Sequence, residues 1–502
     1  MEEVNVYVEG ASREGSKRSC RLDATASSNC ETQKERIIRV FCAEFSDQNM
    51  TEAHRYEDFR DFLNLLERNG QLVRVRKEVD TRFEIAAGIR KVSDTDGPAL
   101  LYENIRNYPS WRVAAGVFAT RKLLALALGV SEDEMLDRYE ELERKLIPPA
   151  SVSNAVVQEV VQTGDAIDLG KLPIAVHSEL DAGPYITIGV QAAADPETGT
   201  RNLSIHRMLV LDRKRLTVWA PSDHHLGRMI GKAEDRGQGL PIATIIGADP
   251  RIVIASQAKA PYGCDEMHIA GGMKGEPVSL VPCKTIPLSV PADAEVIIEG
   301  VTIPGERVTD GPFSEYTGCY SESKEAPVVE VTGITMRRDP IYHTCLTGFP
   351  FTENHVLIEL PNASRVWQEV RRVAPEVLDV CMTPAGSCRH HAVVSIRKRH
   401  EEEARNVILA LLATGIGIKQ VIVVDGDINV RDPFEVEWAL STRMQPDRDL
   451  IVIPRLACST LDPSAPAPRT TAGWGIDATK PLKNNERFAK ARVPGVDRVD
   501  YV

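Results

Sequence analysis

At 502 residues, 43% of them hydrophobic, the chain is long enough for two or three domains with large cores, and its composition is that of a soluble protein. A net charge of −12 argues against a nucleic-acid partner. The longest apolar runs, such as residues 421–424, are strand-sized and too short to cross a bilayer.

The ten cysteines are scattered with no C-x-x-C pair, and no basic-then-apolar leader opens the chain, so free thiols in a reducing cytoplasm are expected. Residues 1–49, rich in Ser, Glu, Arg and Asn without a sustained period, are expected to be a disordered extension. Over 56–68, Phe59, Phe62, Leu63 and Leu66 fall on one helical face, and Asn69-Gly70 is a stop signal. A strand at 71–75, a helix at 83–92, a strand at 99–102 and helices at 121–128 and 132–146 complete an N-terminal α/β region over 50–150. Between 151 and 335 short strands dominate, at 156–160, 185–192, 203–210, 216–220, 242–246, 252–255, 278–281, 296–301 and 328–334. Gly, Pro and Asp punctuate them, a pattern of a β-barrel or sandwich with helical insertions. From 336 to 502 the order becomes βαβ, with strands at 391–395, 419–425 and 450–453 and helices at 401–414 and 434–441. That makes an α/β domain whose sheet is parallel or mixed, followed by a tail expected to lie against another subunit.

Within the middle region, residues 202–210 and 216–220 read as two strands of a hairpin joined by the charged turn 211–215. The hairpin carries Asn202, His206 and Arg207 among apolar residues and runs into Pro221-Ser-Asp-His224-His225. Taken singly, Asn202 also reads as a strand-end cap, Arg207 as a surface ion pair and the histidines as a solvated turn. Further on, Gly263-Cys-Asp265-Glu266 offers a carboxylate. Asn202, His225 and Glu266 together supply two oxygens and one imidazole nitrogen, a set suited to Mn²⁺ or Mg²⁺. Asp310-Gly-Pro-Phe-Ser-Glu315 places two carboxylates five residues apart; beside an arginine, one can stay ionised while the other is held as an acid. No dinucleotide fingerprint, P-loop or nucleophile elbow occurs.

These stretches resemble the UbiD family of decarboxylases. The resemblance rests on Asn202-x-Ser-Ile-x-Arg207, the histidine loop, Gly275-Glu-Pro277, Asp310-Gly-Pro-Phe-x-Glu-x-x-Gly318, Asp432-Pro-Phe-Glu-Val-Glu-Trp438-Ala-Leu-Ser-Thr-Arg443 and Gly475-Ile-Asp-Ala-Thr479. It implies a fold of class α/β plus β, with an N-terminal α/β region, a central split β-barrel of the flavin-reductase type and a C-terminal dimerising α/β domain. It implies reversible, non-oxidative decarboxylation of an aromatic, heteroaromatic or α,β-unsaturated acid through a covalent adduct with prenylated FMN. A flavin prenyltransferase would supply that cofactor, which is held with Mn²⁺ and K⁺, and the protein would be a homodimer or higher homo-oligomer. Carried over by position, Asn202, His225 and Glu266 are the metal ligands. Ser204, Ile205, His206, Arg207, His224 and Ser256 meet the flavin, and Arg207, Asp310 and Glu315 form the catalytic network, with Glu315 as the proton donor. Here the first acid is an aspartate, one methylene shorter than the family's glutamate, which leaves open how tightly it meets Arg207. Where many relatives carry a phosphate-contacting lysine this chain has Gly473, with Lys480 as a possible substitute. A flavin-binding subunit of a carboxylase complex, without activity of its own, is the alternative. The run Glu353-Asn-His355 is closest to heteroaromatic-acid members of the furandicarboxylate type, with His343 and His355 as weak candidates for substrate contact. Phenolic acids and anhydromevalonate phosphate are the next substrates in line.

Overall fold

The computed structural model describes residues 55–459, 461–465, 470–495 and 498–499. The extension expected at 1–49 lies outside the described residues. Helix α1 (Phe59–Arg68) begins where the Asp58 side chain accepts from the Asp61 N–H, and it buries Phe59, Phe62, Leu63, Leu65 and Leu66. Then come β1 (Leu72–Val75), α2 (Glu84–Asp94), β2 (Ala99–Tyr102), β3 (Arg112–Ala115), α3 (Arg121–Leu128) and α4 (Met135–Glu143). The central region holds β4 (Val160–Thr163), β5 (Val190–Ala194), β6 (Arg201–Ile205), β7 (Arg215–Thr217), α5 (His225–Glu234), β8 (Pro241–Ile246), α6 (Pro250–Ala255), α7 (Glu266–Lys274), β9 (Val296–Asp310) and β10 (Lys324–Met336). The chain continues through β11 (Ile341–Thr344), α8 (Glu353–Val373), β12 (Val377–Met382), β13 (His391–Ile396), α9 (Glu403–Leu412), β14 (Gln420–Asp425), α10 (Pro433–Arg443), β15 (Leu450–Ala457) and β16 (Thr470–Ala478).

Three sheets organise these elements. The first runs β1-β2-β3-β11. Its last strand lies beyond the boundary expected at 335, pairing in parallel with β3 from Ile341 opposite Arg112, so residues 341–344 complete the N-terminal sheet. The central sheet runs β7-β10-β9-β8-β5-β6, with β4 added alongside β10. It is an open sheet, not a closed barrel. Its two edges, β6 and β7, are neighbours in sequence, and the link between them folds back through one antiparallel bridge, Val210 to Leu216. The third sheet, β12-β13-β14-β16-β15, has β13, β14 and β16 parallel, as the βαβ pattern predicts.

Several expected strands take other forms. The strand expected over 202–210 ends at Ile205 and resumes only at Met208–Leu209, so His206 and Arg207 stand in a break. Residues 252–255 belong to α6, because Asp249 caps the Arg251 N–H and Pro250 stands at the first helical position. Residues 156–158 form a single 3₁₀ turn before β4. Helix α8, 21 residues long, was not read from the sequence; it has Pro361 in its interior.

The interior divides along this helix. Val356, Leu357 and Leu360 pack into the core shared by the first two sheets. Ala363, Val366 and Val370 pack into the core of the C-terminal domain. A further cluster around Val424, Val436 and Ala439 fills the other face of the C-terminal sheet beneath α10. No helix among the described residues is long and apolar enough to cross a membrane.

Candidate active site

The break at His206–Arg207 turns two polar side chains into a cavity. Freed from ladder alternation, Arg207 is buried beside two acids that come from the end of β9 and just beyond it. Its Nε donates to Asp310 Oδ1 at 2.9 Å, and its Nη1 contacts Glu315 Oε1. Nη2 lies 2.8 Å from the same Asp310 oxygen but makes no hydrogen bond, so one buried donor of the guanidinium is left for a ligand. The aspartate therefore reaches the arginine closely despite its missing methylene. Asp310, fully buried, also accepts from the Thr217 hydroxyl and, at 3.4 Å, from the Tyr185 hydroxyl. The guanidinium sits 4.9 Å from the centroid of the Phe313 ring and 5.7 Å from that of Trp219, so aromatic walls keep it away from water.

The cavity has a volume of 280 Å³. Ile205, His206, Arg207, His224 and Glu315 line it from the central region; Arg389, Gly415 and Ser459 line it from the C-terminal domain. Tyr316 joins the two walls. Its hydroxyl is 3.0 Å from Ser459 Oγ and 3.3 Å from His390 Nε2. His206 is held by its N–H to Gln191 Oε1 at 2.7 Å and by Nδ1 against Trp219 O at 3.0 Å. Burial first, and the neighbouring His224 second, push its pKa down to about 3, so it stands neutral.

Asn202, His225 and Glu266 come together beside this cavity. Asn202 Oδ1 is 3.0 Å from His225 Nδ1, and Glu266 Oε2 accepts from the Leu203 N–H at 2.7 Å. The strand β6 places the asparagine, while the histidine and the glutamate each stand at the first residue of a helix, α5 and α7. Burial pushes Glu266 up to about 7, as expected for a desolvated carboxylate with no cation beside it. Among the described residues no group of three or more His, Cys, Asp or Glu side chains is arranged to hold a metal. A metal here would rest on one imidazole, one carboxylate and the asparagine oxygen, completed by its ligand. Ser204 accepts from Asn202 Nδ2 at 3.2 Å. Ser256, at the end of α6, donates to Val253 O at 2.7 Å and does not line the cavity.

The weak candidates fall elsewhere. His343 is buried in β11 against Phe59 and Phe118, away from the cavity, and neither ring nitrogen has a partner. His355 closes the first turn of α8 with Thr352 and holds Tyr316 O at 2.6 Å, a brace for the segment that carries Glu315. Gly473 is buried in β16, where a Cβ would come 2.6 Å from Leu456 and 2.9 Å from Leu412; no phosphate space adjoins it. Lys480 is bound to Asp427 at 3.1 Å. Sequence reasoning missed Arg389, Trp219 and Asn354. Of these only Trp219 had a local signal, since it ends the second strand of the hairpin that carries Arg207.

Family models match almost the whole described chain. The 3-octaprenyl-4-hydroxybenzoate carboxy-lyase N-terminal domain matches residues 63–143, its Rift-related domain (UbiD) 150–350 and its C-terminal domain 355–478. A curated relative, the anhydromevalonate phosphate decarboxylase of Methanothermobacter thermautotrophicus, is 38% identical over 429 residues, 85% of this chain and 98% of its own. The solved UbiD-class enzyme HmfF from Pelotomaculum thermopropionicum, in complex with FMN, superposes with a TM-score of 0.83 at 42% identity, covering 88% of this chain and 99% of that one. The apo 3,4-dihydroxybenzoic acid decarboxylase of Klebsiella pneumoniae gives 0.81 at 29% identity, covering 87% and 97%.

Proposed function

This chain belongs to the UbiD family and is a decarboxylase of that class; we propose that it acts on an aromatic, heteroaromatic or α,β-unsaturated acid with prenylated FMN as cofactor. The observation that carries the proposal is the buried Arg207 between Asp310 and Glu315 on the wall of a cavity, with one guanidinium nitrogen, Nη2, ion-paired to Asp310 but making no hydrogen bond. HmfF is known with FMN and, in an evolved dimeric form, with prFMN. On this reading the open central sheet, whose edge strands β6 and β7 are joined by a link that folds back through the Val210–Leu216 bridge, serves as the split barrel that carries the flavin.

Asn202, His225 and Glu266 would hold Mn²⁺ or Mg²⁺; the two oxygens and one nitrogen fit a hard cation, and the desolvated Glu266 gains the charge partner it lacks. Ser256 and the carbonyls ending α6 are the oxygen donors we assign to K⁺. The prenylated flavin, when bound, supplies the electron sink that makes loss of CO₂ feasible. The protein does the rest. Arg207 Nη2 takes the substrate carboxylate and fixes its direction. Phe313 and Trp219 exclude water. Asp310, tied to Arg207, Thr217 and Tyr185, is the counter-charge of the arginine. A single guanidinium cannot neutralise two buried carboxylates, so Glu315, the less tethered acid, carries the proton and delivers it to carbon after CO₂ leaves. The reading includes a prenyltransferase as cofactor supplier, a reducing cytoplasmic setting, and a homo-oligomer joined through the C-terminal domain, where Phe434 and Val452 stand exposed.

The test is to produce the protein with and without a flavin prenyltransferase. We expect flavin and manganese in the purified protein only when its ligands are intact, and CO₂ release from at least one acid of an aromatic and acrylic panel only after co-production. A protein that binds neither flavin nor manganese sinks the proposal.

A further inference from the structure

The segment that carries Glu315 is a partition between two cavities. Phe313 and Glu315 line the active-site cavity, whereas Ser314 between them lines a second one of 620 Å³. Ala87, Arg90, His177 and Phe349 are among the walls of the second cavity, and Thr347 borders both. A line of hydrogen-bonding groups runs from one cavity to the other. His177 lines the second cavity and Thr187 the first, and Thr344, the last residue of β11, stands between them. His177 Nε2 is 3.1 Å from Thr344 Oγ1, which is 3.5 Å from Thr187 Oγ1. All three residues are buried. The Thr187 hydroxyl donates to Cys345 O at 2.7 Å, and the Cys345 N–H donates back to it at 3.3 Å. With a proton on His177 Nε2, every donor in the line points the same way, from imidazole to Thr344 to Thr187. Nδ1 is then a bare lone pair, and it is a buried atom with no hydrogen-bond partner. Burial pushes the His177 pKa down to about 4, so the ring stands neutral, with one nitrogen to accept a proton and one to give it.

We propose that His177, Thr344 and Thr187 form a proton relay that reloads Glu315 from solvent in the second cavity. The relay rests on the reading of Glu315 as proton donor. Each decarboxylation replaces a carboxylate on carbon by a proton, so Glu315 must be recharged after every turnover. Its arginine partner has none to spare, because a guanidinium stays charged in a protein. In the relay a solvent proton joins His177 Nδ1 as Nε2 gives its own to Thr344 Oγ1. The Thr344 hydroxyl proton passes to Thr187 Oγ1. The Thr187 hydroxyl turns from Cys345 O into the active-site cavity and, through water in the vacated site, protonates the Glu315 carboxylate. One proton enters and one arrives, both hydroxyls end as they began, and a half-turn of the imidazole restores its tautomer.

The test separates the first turnover, which uses the proton already on Glu315, from those that follow. With the acid that the panel identifies, Thr344→Val holoenzyme should release one product per active site at the parent's rate. Later turnovers should be slower by about tenfold or more, and Thr344→Ser should restore them. His177→Ala should show the same burst, with added imidazole recovering the slow phase. Neutron diffraction from flavin-free crystals should place a deuteron on His177 Nε2 and direct the Thr344 O–D at Thr187. A first turnover slowed as much as the later ones would make Thr344 structural, and later turnovers at the parent's rate would mean that the proton arrives elsewhere. A deuteron on Nδ1 alone would run the line backwards; any of these overturns the relay. Glu315→Gln should lose the first turnover itself, so the donor reading fails in that variant and the relay in the others.

Discussion

Asp310 and Glu315 touch one guanidinium from unlike surroundings: Asp310 has three hydrogen-bond donors, Glu315 only the arginine. Glu315→Gln keeps the shape and removes the proton. We expect FMN affinity within a few-fold of the parent and a loss of CO₂ release on the order of 10²–10⁴; concurrent loss of flavin binding would make the residue structural. The opposite outcome is expected at His343. Burial pushes its pKa down to about 3, and both nitrogens are unpartnered. An unfolded histidine binds a proton below about pH 6.5 that this one refuses, so the residue removes stability as pH falls from 6.5 toward 3, by about 1.4 kcal/mol per pH unit. His343→Leu should therefore leave turnover unchanged and raise stability, more at pH 5 than at pH 8, in thermal melts. Lost turnover with unchanged affinity for flavin would return His343 to the site. That Arg207, Asp310 and Glu315 meet, and that Asn202 meets His225, could be anticipated because each sits in a local motif. His343 and His355 were misread because a histidine in isolation carries no mark of what will surround it.

At the scale of elements, the alternating and helical periods located most strands and helices, and failed where a short apolar run carries no period. Residues 252–255 fit either form, and the deciding signal was the Asp249-Pro250 pair just before them. The break at His206–Arg207 leaves no trace in hydrophobicity, since Leu203, Ile205, Met208 and Val210 continue the apolar character across it. Gly473 was misplaced for a related reason: motif position suggests a loop near a phosphate, whereas β15, β16 and α9 close over it. Gly473→Lys would press its Cβ into Leu456 and Leu412 and bury an ammonium group. We expect a cost of about 3–5 kcal/mol, read as a lower melting temperature, with no gain in flavin retention through desalting. Improved retention would put this strand at the cofactor after all.

For the whole molecule, the change from short strands to βαβ order marked the C-terminal domain, and among the described residues no helix is long and apolar enough to cross a membrane. What no pattern announced is that the cavity lies between the central region and the C-terminal domain, whose hydrophobic clusters are separate. Arg389, Gly415 and Ser459 come from one wall and Arg207 and Glu315 from the other, over 100 residues of sequence away in most pairings, and long-range assembly of that kind has no local signature.

Helix α8 is anchored in both cores, and Pro361 stands where it passes from the first to the second. A proline at that point has no N–H to give to Leu357 O, so one rung of the helix is missing exclusively at the crossing. Bending there costs less than elsewhere along the helix, whose Asn354 lines the cavity, so a hinge at Pro361 is the prediction to test. A hinge sets the pace of traffic without changing what is bound at the end. Pro361→Ala restores the rung, and stopped-flow measurements should find FMN entering and leaving several-fold more slowly by the same factor, with Kd unmoved. A shift in Kd without a shift in the two rates together would mean that the helix shapes the bound state and that the mouth opens somewhere else.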